Sequence, residues 1–446
     1  MRRETTAAVE AMAPKLVRLG KAGLAPAVIW IAHFFYGAAV PLAALILSAC
    51  LLAVLAGLLL STETRRNLDR LSLSWPIICL FAAVLLIALA TLTPWAPGGS
   101  HPIWDWSGAT ASSTMDRSAT VLEILKLIGL AASFVIGTVL GARGETGRSL
   151  YAAILGVGGV YALFSLVVFL SSAASGPSGN RLAGGFESAN VAGSLFGVLL
   201  IMAIAWALRA WRGMPGTFLA QRTTAIAPTL ALILLALGCL LLTASRGAIG
   251  ATGLALALFF GWAAMDNRGS RWPTIAAGAL VISVAAVVYM QGNTLFVDRF
   301  GAMTGDTTRA DLLEPHWDAF LRAPLFGYGL GTWSEVNNQI MTSQNFDALS
   351  ATVILHNVYV QWLEEAGIIG AAPMFLLIAV ILGATGWRAY RRRRNRALIV
   401  GLLLATLVVL LHAAVDVSLN TPSFCAFWAL LLGLGFGLSQ APSRSS

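Results

Sequence analysis

The chain has 446 residues, of which 58% are hydrophobic and only 11% charged. That balance excludes an ordinary soluble globular domain. The formal net charge of +9 raises nucleic acid as a partner, but the placement of the basic residues along the chain gives topology as its cause.

Apolar runs long enough to cross about 30 Å of hydrocarbon as helices recur along almost the whole length. Barrel-type alternation is absent. The expectation is an all-α, polytopic integral membrane protein of about twelve transmembrane helices, with residues 1–446 forming a single transmembrane domain. The basic N-terminus (Arg2, Arg3, Lys15, Arg18, Lys21) precedes an apolar stretch without a small-residue cleavage site, so it reads as an uncleaved first helix.

Spans are expected near 20–36, 38–60, 75–92, 120–140, 150–171, 190–208, 226–243, 248–265, 273–291, 367–387, 397–415 and 423–439. The first two read either as separate spans or as one long helix interrupted near Gly37 and Pro41. Cys50, Cys79, Cys239 and Cys425 lie in or near these runs at irregular spacing, which suggests buried structural thiols and neither a disulfide framework nor a zinc site.

The side holding the N-terminus carries 22 of the 29 Lys and Arg residues, six of them in RAYRRRRNR (388–396). This positive-inside pattern puts both termini in the cytoplasm. Anionic headgroups account for the excess, and no nucleic-acid partner is expected. The remaining basic residues are Arg117, Lys126, Arg181, Arg246, Arg299, Arg309 and Arg322.

One large external segment, 292–366, separates the ninth and tenth spans. Segments of that length are usually functional or disordered. Here Leu313, Trp317, Phe320 and Leu321 recur at a helical period, Pro324 ends the pattern, and Gly327, Gly329 and Gly331 alternate in PLFGYGLGTW. The expectation is a short surface helix, then a tight loop with close backbone approach.

Candidate chemistry collects on the same face. In GNRLAGGFESANVAG (179–193) the Gly pair and Arg181 have the makings of an anion-wrapping loop. In LLTASRGAIG (241–250) the turn is so short that Arg246 must sit at or below the membrane surface, where charge needs a partner or water. Arg309 begins the surface helix. In HNVYVQWLEE, His356 opens a helix and is followed by Asn357. The field of a helix N-terminus attracts phosphate and disfavours imidazolium, leaving a neutral ring able to take a proton. Glu364 and Glu365 read as solvated acids at headgroup level. His412 and Asp416, four apart, are expected on one helix face, either paired or with Asp416 neutralising an arginine. Three arginines, a histidine and an acid on one face suit a phosphate-bearing substrate.

These pieces (RLAGGFESANVAG, TASRG, Arg309 fifteen residues before Pro324, HNVYVQWLEEAGIIG, and His412 with Asp416) resemble, in order, the O-antigen ligase and O-antigen polymerase superfamily of bacterial membrane glycosyltransferases. The resemblance implies a GT-C-like fold in the inner membrane and a periplasmic active site. It implies an undecaprenyl-diphosphate-linked glycan donor and, as acceptor, lipid A–core for a ligase or a second lipid-linked glycan for a polymerase. On this reading Arg246 and Arg309, and with them Arg181, hold the donor diphosphate, while His356 lies beside acceptor or phosphate. Asp416 supports the site, with Asn357, His412 and Gly329 around it.

No cofactor or metal is expected, because the chain has no DxD motif and no clustered ligands. The family often has a Trp four residues after the surface-helix Arg. Here that position is Leu313, with Trp317 one turn later. The rival of another class is a transporter or flippase of a lipid-linked anion, for which charges near the midplane and internal repeats would be expected.

Overall fold

The computed structural model describes residues 20–70, 75–97, 99–106, 111–171, 181–214, 216–266, 278, 308–350 and 354–442. The chain is all-helical, with no strand among these residues. Residues 20–34 form α1. They are followed by α2 (Pro41–Leu59), the short α3 (Thr62–Arg70), α4 (Trp75–Thr91), α5 (Arg117–Gly141), α6 (Gly144–Ser171), α7 (Ala189–Arg212), α8 (Leu219–Leu242) and α9 (Arg246–Asp266). Next come three short helices, α10 (Thr308–Arg322), α11 (Trp333–Ile340) and α12 (Phe346–Ser350), and then α13 (Val358–Arg391), α14 (Arg396–Ala413) and α15 (Pro422–Gln440).

Nine of the described helices have the length and apolarity to cross a membrane, and α4 is a shorter apolar helix. The span expected at 273–291 lies almost wholly outside the described residues, so the count of twelve stays an expectation. The first two spans are separate: the chain turns at Gly37, whose φ is +68°, in a 3-10 turn over Tyr36–Ala38. Pro41 then starts α2 with its fixed φ.

Some of the helices begin where a side chain takes up free N–H groups. Asp116 caps α5 by accepting from Ser118 and Ala119, and Ser188 caps α7 by accepting from Asn190. In α7 and α15, 89% of the most apolar stretch is buried, against 28–33% in α2, α6 and α8. The first two are therefore central, and the others present Leu42, Leu163 and Leu234 outward. In a chain that crosses a membrane, central helices associate by close packing, and small residues permit it. At the seam of α5 and α15 a Cβ on Gly141 would sit 2.8 Å from the Leu434 carbonyl oxygen, and Ser133 donates to the Ala426 carbonyl at 2.7 Å. Cys239 is buried as expected, but Cys50 and Cys79 are exposed on α2 and α4, because the apolar face of a peripheral span points outward.

The two ends of the bundle differ. At one end Asp266 joins Arg212 (2.9 Å) and Arg396 (2.7 Å), and Arg391 lies over Trp387 at 4.4 Å. At the other end sits a cap made from α10 to α12 and the loops around them. The cap has its own small core, including Leu312, Ala319, Trp333, Val336, Ile340 and Leu349.

The inward face of α10 carries Leu312, His316, Ala319 and Phe320, all 5% exposed or less, while Trp317 and Leu321 are 42% and 55% exposed. The expected face is thus rotated by one residue. Burial of His316, a polar residue that hydropathy assigns to the outside, causes the difference.

The cap joins the bundle at a break in α13. Gly367 has φ +61° and ψ −179°, a conformation essentially restricted to glycine. The break would leave carbonyls of the preceding turn and N–H groups of the following one unpaired. The loop 324–331 supplies the partners. Tyr328 N–H donates to the Glu364 carbonyl (3.2 Å) and Gly329 N–H to that of Glu365 (2.8 Å), while Ile368 and Ile369 donate to Pro324 (2.8 Å) and Leu325 (3.0 Å).

Gly327, Gly329 and Gly331 all have positive φ. Their absent side chains admit, respectively, the 364–365 backbone, Thr114 and Glu123, so the tight loop read from the sequence is present. Gly367→Ala should cost about 1–3 kcal/mol or more from strain, with added clash against the backbone of Leu325 and Phe326. Gly383→Ala, where a Cβ meets nothing within 4 Å, is the control. Thermal unfolding in detergent should show a lower midpoint for the first variant and none for the second.

Candidate functional site

The polar motifs converge at the cap end. The short turn between α8 and α9 is present, and Arg246 is the first residue of α9. The stretch before α7 is sewn to that turn. Arg181 donates through Nε to the Thr243 carbonyl (2.8 Å) and through a terminal nitrogen to Asn190 Oδ1 (2.6 Å), and Leu182 N–H donates to the Leu242 carbonyl (3.0 Å). The expected anion-wrapping role of the Gly pair is corrected: Gly185 N–H donates to the Tyr161 hydroxyl (2.9 Å), and its missing side chain lets it lie against the Phe34 backbone. One Arg181 nitrogen therefore braces the Thr243–Arg246 turn, and a second ties the same side chain to α7.

His412 joins a third element to this turn. It is 2% exposed. Its Nδ1 lies 2.7 Å from Ser194 Oγ on α7, and its Nε2 lies 3.4 Å from Ser245 Oγ beside Arg246. Gly247 allows the approach, since a Cβ there would fall 2.6 Å from the imidazole ring. Ser194 also meets Ser418 at 2.9 Å.

Asp416 is wholly buried and accepts from both the backbone N–H and the hydroxyl of Ser418. One of its oxygens is 3.7 Å from His412 Nδ1, and the other has no hydrogen-bond partner. The two residues are near one another, but they do not share a helix face. Helix α14 ends at Ala413, so Asp416 reaches His412 from the turn that follows.

Asn357, one residue after His356, is the N-cap of α13, with its Oδ1 3.1 Å from both the Tyr359 and the Val360 nitrogens. His356 therefore stands just outside the helix it was expected to open. The Tyr359 hydroxyl donates to the Leu410 carbonyl at 2.7 Å, which ties this segment to the end of α14 that carries His412. Arg309 lies in the first turn of α10, and its side chain is outside what the structure describes. Gly329 serves the cap loop, as above.

Glu364 and Glu365 are not solvated acids; they are 0% and 6% exposed. Glu364 accepts from His316 at 2.8 Å, and the other nitrogen of His316 lies 3.3 Å from Asn337 Oδ1. The His316 ring also stacks on Trp333 (5.3 Å, 19°). Glu365 accepts from Gly331 N–H and from Gln361, each at 2.8 Å. Both acids fall just before the break at Gly367, and the cap loop covers them.

A cavity of about 270 Å³ opens beside Glu365, between α2, α5, the cap loop and the start of α15. Its wall holds the ion pair of Glu123 and Lys126 (2.5 Å), together with Gln361, Asn420 and Trp333. Of the residues expected from the sequence to bind or act on substrate, none whose side chain is described (Arg181, Arg246, Gly329, His356, Asn357, His412 and Asp416) lines it. The available signal was a Glu and a Lys at i, i+3 inside an otherwise apolar span. Among the described residues, no group of three or more His, Cys, Asp and Glu side chains is gathered as a metal ion would need.

The fold and these clusters define a polytopic helical membrane protein with its polar machinery gathered at one end. Residues 231–375, about a third of the chain, match the family model described as O-antigen ligase, and over that segment the chain is similar to the O-antigen ligase superfamily. The match takes in the Thr243–Gly247 turn, α10, the cap loop and the His356 segment. No curated protein matches the chain.

His316→Leu would leave the Glu364 carboxyl buried without its partner, at a cost of about 3–5 kcal/mol. The double variant with Glu364→Leu should regain much of that loss in chemical unfolding of the purified protein. If the two variants are equally stable, the pair does not hold the cap.

Proposed function

We propose that the chain is a glycosyltransferase of the cytoplasmic (inner) membrane, with both termini in the cytoplasm and the cap in the periplasm. It moves a glycan from undecaprenyl diphosphate to a sugar hydroxyl, and as an O-antigen ligase its acceptor is lipid A–core. The observation that carries the reading is the convergence at one end of the bundle. Arg181 holds the turn preceding Arg246, His412 joins that turn to α7, and Tyr359 ties the His356 segment to α14 two residues from His412. The family match supports the same chemistry, and the arginine-rich opposite end supports the orientation.

In this proposal the acceptor oxygen forms a bond to the anomeric carbon while the bond from that carbon to the diphosphate oxygen breaks. The electron pair leaves with undecaprenyl diphosphate, and the hydroxyl proton passes to the His356 imidazole. Direct displacement inverts the anomeric centre. Arg246 and Arg309 offset the charge growing on the leaving group, the usual work of preorganised donors in a partly dry site, and no metal is required. Arg181, Asn190 and Ser245 hold the Arg246 turn in register, and His412 with Asp416 fixes it from behind.

Purified protein given a labelled lipid-linked donor and lipid A–core should pass label to lipid A–core. A ladder of longer lipid-linked chains would instead make it a polymerase, and movement across the bilayer without bond formation would make it a transporter. His356→Ala should lower kcat at least about 100-fold, the lower range for loss of a general base, with the protein still inserted and folded. Arg246→Lys should lose on the order of 100-fold, because an ammonium does not reproduce a guanidinium fork. Near-normal turnover of either variant removes that residue from its role.

A further inference from the structure

The cavity beside Glu365 lies apart from the residues that the proposed chemistry uses, yet its wall is built for a ligand. On one side Asn420 Nδ2 donates to Gln361 Oε1 (2.6 Å), Gln361 Nε2 donates to Glu365 (2.8 Å), and Gly331 N–H donates to the other Glu365 oxygen (2.8 Å). This chain of hydrogen bonds fixes the orientation of the two amides and the carboxyl. Glu123 and Lys126, paired at 2.5 Å on α5, continue the polar wall next to Gly331. Trp333 also lines it; the residue is 5% exposed, and its indole N–H is buried without a hydrogen-bond partner. Trp362 adds a second aromatic side chain.

The charge of the wall says what it does not hold. It has one cation and two carboxyl groups, and no arginine. Whatever the protonation of Glu365, the wall is not net positive. A diphosphate would meet carboxylates there without enough positive charge to offset them. A neutral, hydroxyl-rich ring suits it better. Carboxylates and amide oxygens accept from hydroxyl groups, amide and ammonium N–H groups donate to them, and indole faces cover the apolar side of the ring. At about 270 Å³ the space is near the lower end of ligand pockets, enough for one sugar ring. The neighbouring apolar wall of Leu47, Leu51, Leu127 and Leu130 faces the bundle.

We infer that this cavity is a sugar-binding subsite for the acceptor glycan, separate from the donor diphosphate site and held by Glu123, Lys126, Gln361, Glu365 and Asn420. The inference rests on the glycan-transfer reading above and deepens it. Ile354, two residues before His356, belongs to the same wall, so a ring bound there lies beside the segment that carries the proposed base. The cap loop that repairs the helix break also sets this wall, since Gly331 N–H positions Glu365. Acceptor recognition is thereby built into the joint between cap and bundle.

The test uses full-length protein in nanodiscs, with acceptor varied at saturating lipid-linked donor and then the reverse. Asn420→Ala and Glu123→Gln should each raise the acceptor KM by about tenfold or more, a loss typical of one or two hydrogen bonds, with the donor KM within about twofold of the parent. As an independent readout, Ser334→Cys in a chain whose native cysteines are replaced by Ser places a thiol at the cavity wall. Free lipid A–core oligosaccharide should slow its alkylation, whereas inorganic diphosphate should not. Unchanged acceptor KM in both variants, or protection by diphosphate but not by the oligosaccharide, overturns the subsite and leaves glycan transfer standing. A parent protein that transfers to no acceptor overturns both. If one variant fails to fold, the other and the alkylation experiment still decide.

Discussion

The organisation of this protein depends on one broken helix. A helix can stop within an apolar bundle only if other groups satisfy its open backbone. At Gly367 those groups come from residues 324–329, through four backbone hydrogen bonds that run in both directions across the joint. The repair has consequences on every side. It locks the cap onto the bundle, buries Glu364 against His316, and draws Gly331 down onto Glu365. Remove the glycine conformation and the loop loses its seat, because the backbone of Leu325 and Phe326 occupies the place a side chain would take.

A second constraint acts from the bundle side. The polar contacts at the cap end need close approach, so the helices bearing them must stand at fixed distances. Absent side chains set those distances. Gly247 lets the His412 ring approach Ser245, and Gly193 brings α7 against the same turn. Gly137 and Gly141 do the same along α5 and α15, deeper in the bundle. The chemistry proposed for Arg246 thus relies on residues with no chemistry of their own. Glycine acts here by what it permits, and the arginine is presented by the turn it begins.

Much of the fold was legible in the sequence because hydrophobic length is a strong signal in lipid. The helices from α4 to α9 and from α13 to α15 fall close to the runs expected for them. The Thr243–Arg246 turn, the alternating glycines and the short cap helix were also readable, as local chemistry dictates each of them. Three readings failed for a common reason. The inward face of α10 was assigned by hydropathy, but His316 is buried against Glu364. The two acids were assigned to solvent, but the cap covers them. The Gly pair at 184–185 was assigned to an anion, but Tyr161 and the backbone of α1 use it. In each case a partner more than twenty residues away in the chain cancels the cost of burying a polar group.

By itself the sequence determined a helical membrane protein, its basic end, and the motifs that relate it to the O-antigen ligase superfamily. These are properties of single segments, carried by hydrophobic length, charge count and local turn chemistry. Only the tertiary structure decided which polar groups meet. It set His412 beside Ser194 and Ser245, closed the cap loop over Glu365, and brought Glu123, Gln361 and Asn420 around one cavity from three separate parts of the chain. The physical reason is that a buried hydrogen bond requires two partners at about 3 Å, and no local pattern specifies the second partner when it lies hundreds of residues away.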